Sequence, residues 1–179
     1  MVEVEKAALV VEPKRKGIEV RTKKLCAEAV LPKRQHPTDA GCDLVAVSKR
    51  YDEMGNTVYG TGIAMEIPEG YVGLIFPRSS IANYYLTLSN CVGVIDSDYR
   101  GEITMKFRPM CINVSWRSKL LSRILKRGVC ARAMHSKEYE VGERIGQIII
   151  LPYPNVEFYE WPFLSETDRG AGGYGSTGK

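Results

Sequence analysis

The chain has 179 residues, 44% of them apolar, enough for one domain with a full core and too many for a disordered chain. The net charge of +4 is mild, and no apolar run is long enough to span a bilayer. Five cysteines without a CxxC pair point to reduced thiols in a cytosol-like compartment, and two distant histidines argue against a His/Cys zinc site and a serine–histidine triad.

Residues 1–17 open without the apolar core of a signal peptide, and their mixed charge reads as a mobile lead-in. Ile18 and Val20 alternate with Glu19 and Arg21, which begins a strand pattern, and Leu25 to Leu31 continues it as an extended run. Asp39 to Val47 is a turn running into a strand. Val58 to Ile67 alternates again, with Ile63, Met65 and Ile67 on one face, and Pro68-Glu69-Gly70 turns the chain. Tyr71 to Phe76 reads as a buried strand, Ile81 to Asn83 as one helical turn, and the apolar beat resumes at Tyr85, Leu86 and Leu88.

The stretch Asn90 to Gly101, NCVGVIDSDYRG, holds two carboxylates, a tyrosine and an asparagine. Extended-favouring Val92, Val94 and Tyr99 around turn-favouring Gly93 and Asp-Ser-Asp predict a β-hairpin. Its acids are either solvated surface charges or a site. Glu102 to Met110 alternates with Ile103, Met105 and Phe107 on one face, and Arg144 to Tyr153 carries IIIL, a strand buried on both faces. Many short strands with turns between them predict an all-β barrel or sandwich.

One segment breaks that rhythm. Trp116, Leu120, Leu121, Ile124 and Leu125 have helical spacing, with Ser115 as N-cap and Gly128 as stop, so a short helix is expected near 115–128. Residues 113–138 carry +6, which leaves −2 for the rest of the chain. The basic face would meet nucleic acid or an acidic protein surface, while the apolar face would cover the barrel or a neighbouring subunit. A membrane contact lacks further anchors.

Five stretches, DAGCDL (39–44), PRSS (77–80), NCVGVIDSDYRGE (90–102), GERIGQ (142–147) and RGAGGYGSTG (169–178), stand in one order. Together they resemble the five motifs of the trimeric dUTP pyrophosphatase (dUTPase) family, over about 140 residues with the 113–138 insertion as the main break. Some phage-encoded relatives carry inserts at this place, so the resemblance allows a viral origin.

The resemblance implies a jelly-roll-like β-barrel over 18–165, a glycine-rich lid at 166–179, and a homotrimer with shared sites, working in the cytoplasm. It implies hydrolysis of dUTP to dUMP and pyrophosphate with Mg2+. Asp96 matches the general base that activates water. Asn90 and Gly93 match the uracil-reading group, and a site paired to uracil's edge leaves buried groups unsatisfied with cytosine. Tyr99 matches the ring under the deoxyribose, which excludes a 2′-hydroxyl. Arg78, Ser79 and Ser80 match the phosphate-binding turn, though the family commonly has glycine where Ser80 stands. Gln147 matches an α-phosphate ligand, and Asp43 the carboxylate that meets magnesium through water. Asp39 would order its loop against a neighbouring chain.

The tail reads as a flexible linker or as a lid whose amides converge on phosphate. In the lid reading Arg169, Gly173, Ser176 and Thr177 bind phosphate, and Tyr174 stacks on the base where the family usually has phenylalanine. A related dCTP deaminase is the rival enzyme. A dUTP-sensing module that grips a partner through the insertion is the rival of another class.

Overall fold

The computed structural model describes residues 17–84, 86–110 and 137–173. The helix expected near 115–128, nearly all of the basic insertion and almost the whole 1–17 lead-in lie outside these residues. The described residues form ten strands: β1 (Arg21–Lys24), β2 (Cys42–Val45), β3 (Ser48–Tyr51), β4 (Thr57–Gly60), β5 (Ile63–Glu66), β6 (Tyr71–Pro77), β7 (Leu86–Leu88), β8 (Gly93–Ile95), β9 (Thr104–Pro109) and β10 (Arg144–Pro152). One 3₁₀ turn, Ser79–Asn83, is the helical turn foreseen after β6. The fold is all-β and jelly-roll-like. One four-stranded sheet runs β2-β10-β6-β8, the other β3-β4-β9-β7, and β1-β5 form a two-stranded ribbon.

All described pairings are antiparallel. The alternation in β9 is real: Met105 and Phe107 are buried while Thr104, Lys106 and Arg108 face water. In β10 only part of the IIIL run is fully buried. Ile148 is inside, whereas Ile149 and Ile150 are half-covered in the single chain.

Three expectations are corrected. Val58 to Ile67 is not one strand but two, β4 and β5, in different sheets. Gly62 between them sits at φ +63°, a left-handed conformation that turns the chain and that a side chain resists. Leu25 to Leu31 is a set of turns rather than a strand; the amide of Leu25 bonds the Gly62 carbonyl and that of Ala29 bonds Cys26. Asn90 to Gly101 is not a β-hairpin. Its two flanks leave for different sheets, β8 pairing with β6 and β9 with β4 and β7, so the stretch crosses between sheets. Local propensity reads extended–turn–extended in both cases and cannot tell a hairpin from a crossover.

The core joins both large sheets. Tyr59, Phe107 and Tyr139 meet at ring separations of 5.6 to 6.1 Å, and Tyr84 stacks on Tyr139 at 4.1 Å. Burying each such ring contributes about 2–3 kcal/mol from apolar area alone. The Tyr59 hydroxyl donates to the Tyr139 carbonyl at 2.9 Å, and burial pushes its phenol well above the ordinary range.

Beside this cluster Glu138 accepts from the Tyr51 hydroxyl at 2.7 Å and the Thr57 hydroxyl at 3.3 Å, and pairs with Lys49 at 3.1 Å. Burial by itself raises the Glu138 carboxyl, but the bonds from Tyr51, Lys49 and Thr57 outweigh it and the net shift is downward. Burial lowers Lys49, and its hydrogen bond and charge contact with Glu138 outweigh that, so its net shift is upward. A lowered acid stabilises the fold above its usual 4.5 and loses that contribution as pH falls through its folded value. A raised lysine stabilises below its usual 10.5 and loses that contribution in alkali. Urea titrations of the parent and of Glu138→Gln between pH 3 and 7 will therefore show a shallower acid decline in the variant; equal slopes would exclude this assignment.

Candidate active site

Sheet register brings one group of sequence-distant residues together. Gln147 on β10 lies opposite Asp43 on β2 and Phe76 on β6. Arg78 follows two residues later, where β6 gives way to the 3₁₀ turn. Gln147, Asp43 and Arg78 line a cavity of about 310 Å³ with Asp39, Gly41 and Ser79. Asp43 is its electrostatic centre. One carboxylate oxygen accepts from Arg78 Nε at 3.0 Å and the other from Arg144 Nη1 at 3.0 Å. The Asp43 side chain is only 12% exposed, so both ion pairs are partly shielded from water. Arg144 was not singled out in the sequence, although it lies inside GERIGQ. Gln147 donates weakly to the Pro77 carbonyl at 3.4 Å, which leaves its amide available to a ligand.

Asp39 caps its own turn, accepting from the His36 amide at 2.9 Å. Ser79 is exposed, but the Ser80 hydroxyl oxygen is buried and has no partner among the described residues. The hydroxyl of Ser80 is thus not presented to the cavity as a phosphate donor.

A second cavity of about 280 Å³ opens between β8 and β9, lined by Ile75, Asn90, Gly93, Ile95 and Met105 among others. Asn90 is exposed at its mouth. Gly93 is buried beneath it, and a Cβ there would come 3.1 Å from that of Ile75 and 3.7 Å from the Asn90 amide nitrogen. The backbone is strained at this point: Cys91, at φ +61°, is the sole described non-glycine with positive φ. No motif reading flags that strain, for cysteine carries no left-handed preference.

Asp96 follows β8 directly. Its side chain is exposed and engages no described residue, so its oxygens are free for water. Tyr99 is also exposed, which removes an ordinary core role, and its hydroxyl donates to the Glu102 carbonyl at 3.0 Å. Arg100 ties the loop from within, donating to the carbonyls of Ser97 at 2.6 Å and Tyr99 at 3.0 Å. The two cavities share no lining residue, and their sheet carries β8 at one edge and β2 at the other.

Arg169 and Gly173 line neither cavity. Arg169 bonds the Gly172 carbonyl at 2.9 Å within an exposed turn. Tyr174, Ser176 and Thr177 lie outside the described residues.

The family model described as dUTPase matches residues 27–110, ending just before the insertion. A deoxyuridine 5'-triphosphate nucleotidohydrolase of Corynebacterium diphtheriae is 39% identical over 161 residues, covering 89% of this chain and 92% of that one. The chain belongs to the dUTPase family. The nucleotidohydrolase of Nautilia profundicola is 38% identical over 167 residues, covering 90% of this chain and all of its own length. Among solved structures, a variant dUTPase of Staphylococcus bacteriophage 80alpha with dUpNHpp superposes with a TM-score of 0.68 at 26% identity, covering 90% of this chain and 99% of that one.

The donor set of the first cavity bears on a dUTPase metal. Among the described residues no three His, Cys, Asp or Glu side chains gather as a cage. Asp43 already serves two guanidinium groups, yet a carboxylate has about four acceptor positions, so two remain for water. This fits a hydrated magnesium delivered on a triphosphate, not one held by protein alone. Replacing Asp43 by Asn leaves Arg78 and Arg144 side by side without their counter-charge. We expect a stability loss of about 1–3 kcal/mol in urea unfolding at low salt, shrinking as salt screens the two cations.

Proposed function

We propose that the chain hydrolyses dUTP to dUMP and pyrophosphate, keeping uracil out of DNA and supplying dUMP for thymidylate synthesis. The observation that carries this is the pair of cavities, one beside the base-reading Asn90 and Gly93, one built on Arg78 and Gln147, in a chain of the dUTPase family. A mostly apolar slot with Asn90 at its mouth for a base, and a slot that offers the Arg78 guanidinium and the Gln147 amide to phosphate, are the two halves of a nucleotide site.

In this reading the uracil edge pairs with Asn90 and the backbone around Gly93, and the deoxyribose lies on Tyr99. Asp96, unengaged by other side chains, orients a water and takes its proton as the water attacks the α-phosphorus. Arg78, Ser79 and Gln147 hold the phosphate oxygens, and Ser80 contributes through its backbone. Magnesium bound with the triphosphate neutralises charge on its oxygens, with Asp43 meeting it through water. Arg169, Gly173, Tyr174, Ser176 and Thr177 belong to a lid over the nucleotide.

The site is shared within a homotrimer. Its two halves are separate cavities in one chain, which supports completion by neighbouring copies. Beyond β10 the chain exposes Phe158, Tyr159, Trp161, Phe163 and Leu164, between 72% and 94% open to water, which a soluble chain covers by association. The described barrel strands end at Pro152, so residues 153–165, which the resemblance counts with the barrel, form an arm beyond them. The insertion at 113–138 offers a basic surface to an acidic protein or nucleic acid. No helix among the described residues is long and apolar enough to cross a membrane.

The rival readings, dCTP deaminase and a purely sensing module, find no support in relatives that are named nucleotidohydrolases. Asp96→Asn is the test. Pyrophosphate release from dUTP with magnesium will fall by about 10²–10⁴-fold while a non-hydrolysable dUTP analogue still binds. Wild-type turnover by that variant would remove Asp96 as the base, and ammonia release from dCTP by the parent would favour the deaminase.

A further inference from the structure

The Asp96 side chain is exposed and engages no described residue, so the direction of its carboxylate is set by the backbone that carries it. That backbone is clamped at both ends. On one side Ile95 pairs with Gly73 across β8 and β6. On the other the Tyr99 hydroxyl donates to the Glu102 carbonyl at 3.0 Å, and the Glu102 carboxylate accepts from the Gly62 amide at 2.8 Å. The Tyr99 ring lies back over Gly101, where a Cβ would collide with its hydroxyl.

Between the clamps stands the turn from Asp96 to Tyr99. The Tyr99 amide closes it on the Asp96 carbonyl at 3.2 Å, a long bond. The carbonyls of Ser97 and Tyr99 converge on one nitrogen: Arg100 Nη1 donates to them at 2.6 and 3.0 Å. A charged donor makes such bonds stronger than those of an amide. The ion pair of Arg100 with Glu66 on β5 adds little, for it spans 4.0 Å and both side chains are about half-exposed. What Arg100 supplies is therefore the closure of the turn. Its side chain lines neither the cavity beside Asn90 nor the one beside Gln147.

We infer that Arg100 is a positioning residue: by gathering the Ser97 and Tyr99 carbonyls onto one nitrogen it fixes the turn that aims Asp96 at its water. A base displaced by about 1 Å loses up to about 10²-fold in rate, so a side chain that sets only the backbone still governs turnover. The inference rests on the dUTP reading with Asp96 as the base, and deepens it by naming what orients that base.

The experiment uses the full-length chain with Arg100→Gln, Arg100→Lys, Asp96→Asn and the Asp96→Asn/Arg100→Gln double variant. Arg100 is half-exposed, so neither of its replacements opens the core. The single-turnover rate of pyrophosphate release from dUTP with magnesium will fall about tenfold in Arg100→Gln. Binding of a non-hydrolysable dUTP analogue will stay within about twofold. Because one nitrogen serves both carbonyls, the lysine ammonium can take its place in part, and Arg100→Lys will lose only about threefold. The double variant will be no slower than Asp96→Asn alone, since a residue that acts through Asp96 has nothing left to aim. A parent rate in Arg100→Gln, a lysine variant as slow as the glutamine one, a parallel loss of analogue binding, or a further tenfold loss in the double variant would each overturn the inference. A parent chain inert toward dUTP, or Asp96→Asn as fast as the parent, would instead strike at the proposed function.

Discussion

The register of β10 is the constraint from which the rest follows. This nine-residue strand pairs with β2 on one side and β6 on the other. Its pairing sets Gln147 opposite both Asp43 and Phe76, residues separated in sequence by more than a hundred and by about seventy positions. A slip of one residue would turn Gln147 into the interior and Ile148 out to the cavity. The buried ring of Ile148 contacts in the core opposes that slip, so hydrophobic packing is what holds the polar site in alignment.

Charge then builds on that alignment. Asp43 stands between two arginines and lets two like charges lie close together near a place meant for anions. Without the carboxylate the guanidinium groups would repel, and a site with fixed cations would be costly to maintain when empty. The loop after β8 uses a different device. There the loop is held by backbone bonds and by Arg100 folded onto its carbonyls, and strain at Cys91 is tolerated because β8 anchors the chain on the far side.

Much of this was legible in one dimension. The alternation of β9, the buried character of β6 and the turn after Pro77 came from local patterning, and the order of five short polar stretches pointed to the family. Other features were not. The crossover after β8 reads like a hairpin because strand and turn propensities are blind to the partner of a strand. Ser80 reads like a phosphate donor from its place in PRSS, and only the structure shows its hydroxyl oxygen to be buried. Arg144 looks like an ordinary strand-edge cation until it is seen on Asp43.

From its residues alone the chain specified an all-β domain, its family by motif order, and the kinds of side chain those motifs carry: carboxylates, an asparagine, a glutamine and arginines. Such features depend on short-range periodicity and on motif order, which the linear chain carries in full. The tertiary structure decided which sheet each strand joins, which oxygens Asp43 gives to which arginine, and that the two cavities share no lining residue. These depend on long-range pairing and burial, which no local stretch of sequence encodes.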